Sequence, residues 1–230
     1  MMRDVTMTAC RAVIFDLDGT LLNTLADLSA SVNRALTAHG FPTHPMDAYR
    51  FFVGEGARKL VERALPTDVA RNPAAVDRLL HAFQADYADR WRDTTAPYPG
   101  IPELLDALAA RKIPLAVLSN KPDRFTQLCV RAFFPYGRFT HVCGQRPDQP
   151  PKPDPAGALA IAAAWRLAPR EILYVGDSGT DMQTAHAAGM FAAGAAWGFR
   201  PVTELQDTGA QVVLNHPAAA LALICPSPTN

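Results

Sequence analysis

Residues 12–17 read AVIFDL, a short apolar run rich in strand formers, and the turn pair Asp18-Gly19 closes it. The spacing then changes. Leu25, Leu28, Val32 and Leu36 recur at helical intervals, and Gly40 and Pro42 end the segment. After Gly54-Glu55-Gly56, one helical face carries Leu60, Val61, Ala64 and Leu65. Val76, Leu79, Leu80, Phe83 and Tyr87 mark a third helix over 74–91. Residues 23–95 are therefore expected to be all-helical.

From Pro97-Tyr98-Pro99-Gly100 onward, helices and strands alternate. Helical spacing is expected around Leu104, Leu105 and Leu108, and over 125–133, 156–167, 181–188 and 218–224. Strands are expected over 114–118, ending in Ser119-Asn120, and over 172–175, ending in Gly176-Asp177. Further strands fall over 139–143, 191–195 and 212–214. Such alternation, with continuous apolar strands, predicts an α/β fold in three layers, a Rossmann-like parallel sheet with helices on both faces. Residues 1–22 and 96–230 would form this core, and 23–95 a helical insert. The segments 20–25 and 95–100 would cross side by side as a hinge.

Composition narrows the function classes. Lys plus Arg equals Asp plus Glu at 22 each, so no basic excess points to nucleic acid and no polybasic tail to a membrane surface. No apolar run reaches the length of a membrane span, and residues 1–10 carry no apolar leader core. Cys10, Cys129, Cys143 and Cys225 form no CxxC pair, and the six histidines show no metal-ligand spacing. Reduced thiols in a cytoplasmic protein are the expectation.

The candidate chemistry lies just past the strand ends, where open parallel sheets bind ligands. Asp16 and Asp18 end the first strand, Ser119 and Asn120 a second, and Asp177 a later one, with Asp181 four residues on. Lys152 follows Pro151 ahead of a helix. Parallel packing would gather four carboxylates around one lysine, an arrangement that like-charge repulsion opposes. Either one carboxyl holds a proton or a divalent cation sits among them. An all-oxygen set suits Mg²⁺, which characteristically shares its shell with a substrate phosphate.

DLDGT at 16–20, LAVLSNK at 115–121, PPKPDP at 150–155 and YVGDSGTD at 174–181 resemble, in order, the four motifs of the haloacid dehalogenase superfamily. The helical insert resembles its cap, and GEGARKLV at 54–61 resembles the cap loop of the phosphoglycolate-phosphatase-like branch. Asn23 and Gln145 depart from that branch, which usually carries acids there.

The resemblance implies roles. Asp16 would attack phosphorus to form an aspartyl-phosphate. Asp18 would protonate the leaving oxygen and then activate water, with its main-chain carbonyl on Mg²⁺. An acid at 18 favours a phosphatase or phosphomutase over a dehalogenase or transport ATPase. Thr20, Ser119 and the Asn120 amide would hold substrate, with Ser119 otherwise read as a helix cap. Lys152 would offset charge. Asp177 would ligate the metal directly, and Asp181 through water or by orienting Lys152. Gly56 would let the cap backbone reach the site. Arg58 and Lys59 would meet a substrate carboxylate or second phosphate, or simply form an exposed basic face. The implied activity is Mg²⁺-dependent hydrolysis of a small phosphorylated metabolite. The alternatives are a β-phosphoglucomutase-like mutase, a pyrophosphatase and a non-catalytic phospho-ligand regulator. Monomer and homodimer stay open.

Overall fold

The apolar run at the start of the chain becomes β1 (Ala12–Phe15), and every one of its residues is buried. β2 (Leu22–Asn23) follows, then four helices, α1 (Leu25–Ala38), α2 (Tyr49–Phe52), α3 (Ala57–Ala64) and α4 (Pro73–Arg90). After β3 (Ala96–Pro97), strands and helices alternate. They run as α5 (Ile101–Ala110), β4 (Leu115–Pro122), α6 (Asp123–Phe133), β5 (His141–Gln145), α7 (Ala156–Trp165) and β6 (Ile172–Gly176). α8 (Gly179–Ala188), β7 (Phe191–Ala195), α9 (Val202–Asp207) and β8 (Val212–Leu214) complete the series. This computed structural model describes residues 10–134 and 137–225, so the leaderless reading of the N-terminus falls mostly outside it. Among the described residues, no helix is long and apolar enough to cross a membrane.

Six strands form one parallel sheet in the order β5-β4-β1-β6-β7-β8. Alternate residues of each strand feed opposite faces, as the period of two requires. Val13, Phe15, Val117 and Val175 join one core cluster, and Ala12, Ile14, Ala116 and Tyr174 the other. The first cluster runs on through Leu21 and Leu22 into Leu25, Leu28, Leu60 and Phe83 of the helical segment. Each leucine so buried contributes roughly 1.5–3 kcal/mol. β1 lies between β4 and β6, so the chain leaves it toward one edge and returns on its other side. The crevice at that reversal, at the carboxyl ends of the strands, is where such sheets bind ligands.

Four elements differ from the expectation, and one of them, α9, falls where no helix is expected. β4 runs four residues further, through Ser119, Asn120 and Lys121 to Pro122, with an irregularity in its pairing to β5 after Leu118. The chain at 20–25 and 95–100 is not plain linker. β2 and β3 pair antiparallel, Leu22 opposite Pro97 and Asn23 opposite Ala96. Two-residue strands carry no periodicity, and Pro97 argues against a strand by its type. The last helix is a 3-10 turn over Pro217–Leu223, whose buried pair Pro217 and Ala220 has three-residue spacing.

α1 also carries a buried acid. Asp27 is 4% exposed and accepts from the main-chain N–H and the hydroxyl of both Thr94 and Thr95, at 2.5–3.1 Å. Burial alone would raise its pKa. The hydrogen bonds outweigh burial and hold it below the ordinary carboxylate value. The start of α1 is thereby fastened to the chain entering β3.

Candidate active site

Asp16 follows β1 directly, Asp177 follows β6, and Asp181 lies in the first turn of α8. All three are buried, and one carboxylate oxygen from each lies within 4.8 Å of the others. Lys152, from the loop before α7, is buried with them. Its Nζ is 2.6 Å from Asp181 Oδ1 and 2.8 Å from Asp16 Oδ1. The contact to Asp16 is a charge contact without hydrogen-bond geometry, so that buried oxygen still lacks a hydrogen-bond partner.

The surroundings fix each acid differently. Asp177 accepts from the Thr20 hydroxyl at 2.9 Å and from Phe199 N–H at 2.8 Å. Gly19, at φ +90°, presses its backbone so close that a Cβ would overlap the Asp177 carboxylate. Asp181 accepts from Ser178 N–H at 3.1 Å, from the Ser178 hydroxyl at 2.6 Å and from Lys152. Asp181 is thus held by Ser178 and Lys152, while Asp16 Oδ1 faces the Lys152 ammonium without a hydrogen bond.

Electrostatics follow from the burial. Loss of solvent pushes Asp16 up to about 7, helped by the charges of Asp181 and Asp18 and opposed by Lys152. Burial, with Asp181 and Asp16, drives Asp177 well above the carboxylate range. Lys152 stays protonated, because Asp16 and Asp181 outweigh its own desolvation. Three acids against one lysine leave the cluster short of positive charge. A divalent cation fits that deficit. The donors are all oxygens, they converge within reach of one ion, and Asp16 Oδ1 has no hydrogen-bond donor beyond the Lys152 charge contact.

Asp18 does not join that cluster in the same way. Its carboxylate meets Lys121 Nζ at 3.0 and 3.1 Å, and the same ammonium bonds the Tyr87 hydroxyl of α4 at 2.9 Å. Lys121 is almost fully buried, its side chain 4% exposed, and the Asp18 charge holds it above the ordinary lysine value despite that burial. The sequence reading counted one lysine near the acids, and the structure has two. The missed signal lay in LAVLSNK itself, because Ser119 and Lys121 are two apart on one strand and share a face.

The remaining expected residues divide. Ser119, Asn120 and Gly56 line a cavity of about 50 Å³ beside Asp16 and Asp18. Ser119 is not a helix cap, since β4 carries the chain past it and α6 starts at Asp123. Its oxygen accepts from Lys121 N–H at 3.3 Å. The Asn120 side chain clamps Lys152, giving to its carbonyl at 2.9 Å and taking from its N–H at 2.8 Å. Thr20 does not line the cavity, because its hydroxyl is committed to Asp177. Arg58 is not brought to the site. It pairs with Asp77 on the exposed side of α3, and Lys59 pairs with Glu62 at 2.7 Å.

The helical segment roofs the cavity with Leu28, Leu60, Phe83 and Tyr87, and Gln84 adds one amide. Its loop ahead of α3 is docked through main-chain carbonyls. Asn120 Nδ2 donates to Gly54 O at 3.1 Å, and Arg200 Nη2 donates to Val53 O at 3.0 Å.

The comparisons agree with this geometry. The profile of the haloacid dehalogenase-like hydrolases matches residues 13–195. The chain is 35% identical over 206 residues to a phosphoglycolate phosphatase of Pseudomonas putida KT2440, covering 85% of this chain and 74% of that one. It is 31% identical to a phosphoglycolate phosphatase of Haemophilus influenzae Rd, covering 94% and 99%. The crystal structure of a predicted phosphoglycolate phosphatase from Haemophilus somnus 129PT superposes with a TM-score of 0.87 at 29% identity, covering 94% and 99%. By site, sheet order and sequence alike, the chain belongs to the haloacid dehalogenase-like hydrolases.

Proposed function

We propose that the chain is a Mg²⁺-dependent phosphatase of small phosphomonoesters, with 2-phosphoglycolate the first substrate to try. The observation that carries it is the convergence of the Asp16, Asp177 and Asp181 carboxylates on one point, with the Lys152 ammonium 2.8 Å from Asp16. The relatives named phosphoglycolate phosphatase support the choice of ester.

Asp16 attacks phosphorus, and the bond from phosphorus to the leaving oxygen breaks. Asp18, which must take up a proton in exchange for one of its Lys121 contacts before the ester reacts, gives that proton to the leaving oxygen and remains in place as carboxylate. A water then attacks the aspartyl-phosphate, Asp18 takes its proton, and inorganic phosphate departs from a regenerated Asp16. Ser119 and the Asn120 main chain hold phosphoryl oxygens, and Lys152 balances the charge built up beside Asp16. Asp16, Asp177 and the Asp18 carbonyl would hold the cation, which neutralises phosphoryl charge when bound, with Asp181 acting from behind through Lys152. Residues 23–95 act as a cap pivoting on the β2–β3 pair and excluding water when closed. The free thiols suit a reducing cytoplasm.

Phosphate release over a panel of two- to six-carbon phosphoesters and pyrophosphate, with and without Mg²⁺, tests the proposal. Turnover of a short phosphomonoester that needs the cation is expected. Isomerised sugar phosphate without free phosphate would make the enzyme a mutase. Tight binding with no turnover of any ester would make it a regulator.

A further inference from the structure

We propose that Lys121, held in place by Tyr87, selects the substrate's leaving group. Lys121 takes a carboxylate carried on the carbon next to the ester oxygen. The inference rests on the phosphatase reading and adds to it the group that recognises the organic half of the ester.

Charge placement makes the case. Among the described residues lining the cavity, Lys121 is the single cation. The basic residues of α3 are turned away, Arg58 to Asp77, Lys59 to Glu62 and Arg63 to Glu55. The rest of the roof is mainly aliphatic and aromatic, as Leu28, Leu60 and Phe83 exemplify, and Phe125 of the core extends it. An anionic leaving group entering this space finds one compensating charge.

Distance places that charge beside the reacting bond. Asp18 must touch the leaving oxygen to protonate it, and Lys121 Nζ is 3.0 Å from Asp18 Oδ1. Two hydrogen-bond lengths of roughly 3 Å each therefore bound the path from the leaving oxygen to the ammonium. A carboxylate on the adjacent carbon has its oxygens only three bonds from the ester oxygen, so it falls within that reach. A second phosphate several carbons away does not.

Donor arithmetic permits the exchange. An ammonium has three N–H donors. Here they face Asp18 Oδ1, Asp18 Oδ2 and the Tyr87 hydroxyl. A substrate carboxylate can take over one of the two Asp18 contacts while the other keeps Asp18 in position. Tyr87 retains the third and comes from the helical segment, so one of the contacts that orient Lys121 is supplied by the roof. Tyr87 is a positioning residue, and Lys121 is the binding one.

The test compares two esters of equal carbon count, 2-phosphoglycolate and 2-hydroxyethyl phosphate, which differ in carboxylate against hydroxymethyl. The wild-type kcat/KM ratio should favour the carboxylate ester by about 100-fold, since a site built for a charged group rejects the analogue lacking it. Lys121→Met should cut that ratio at least about tenfold, mainly through KM for 2-phosphoglycolate. Tyr87→Phe should cut it by about threefold, and it carries the test where Lys121→Met does not fold. A wild-type ratio near one overturns the proposal. So does a Lys121→Met variant that melts like wild type and slows both esters by the same factor. Failure to release phosphate from either ester, while another phosphomonoester of the panel is hydrolysed with Mg²⁺, overturns this inference alone; no release from any ester removes the phosphatase reading with it.

Discussion

Asp16 and Asp27 are both aspartates nearly withdrawn from water, 7% and 4% exposed, yet their surroundings are opposite. Asp27 accepts from two backbone N–H groups and two hydroxyls, and its carboxylate is stabilised as an anion. Asp16 has an oxygen with no hydrogen bond, two acidic neighbours in its cluster, and a pKa pushed up to about 7 by burial. A buried carboxylate that the fold fully satisfies fastens two segments together. One that the fold leaves short is a site awaiting a cation or an electrophile.

The contrast breaks most sharply under substitution. Asp16→Asn should lower phosphate release by at least about 10³-fold, as loss of a nucleophile does, with the fold intact. It should also raise the melting temperature of the metal-free protein near pH 8, because one crowded charge is gone. A variant that retained wild-type turnover would end the assignment. Asp27→Ala should do the reverse. It orphans four donors, the two of Thr95 being buried, and should cost about 1–3 kcal/mol of stability in a urea titration. A stability unchanged within about 0.5 kcal/mol would show that the clasp is not structural.

The smallest effect is linkage to pH. The folded pKa of Asp16 is about 7, above the ordinary ~3.9 of an unfolded aspartate. Its contribution is therefore present in full below about pH 4 and lost as pH rises through about 7. Protons and cation compete for the same oxygen. Millimolar Mg²⁺ should thus stabilise the protein more near pH 8 than near pH 5, by about 1 kcal/mol or roughly 2–4 °C in melting temperature. Equal shifts at the two pH values would detach the cation from Asp16.

The sheet was legible because β1, β4 and β6 are buried on both faces and so read as unbroken apolar runs. Asp16, Asp18 and Asp177 were legible because they follow strand ends, and Asp181 because it comes four residues after Asp177. The clasp was not, since Asp27 and Thr94-Thr95 are 67 and 68 residues apart and look like ordinary polar residues of a helix and a loop. Lys121 escapes notice because strand β4 outlasts its apolar run, and a lysine three residues past Leu118 reads as solvated loop. Arg58 was overvalued for a related reason. The apolar face of α3 sets its rotation, but the sequence does not show that Asp77 of α4 stands where it takes up Arg58.

The contacts from Asn120 and Arg200 to the loop ahead of α3 end on the carbonyls of Gly54 and Val53, atoms that every amino acid possesses. Mutation of the roof's side chains leaves these fastenings in place. Substitution of Leu28, Leu60 or Phe83 would therefore reshape the cavity without removing the bonds that hold the loop over it.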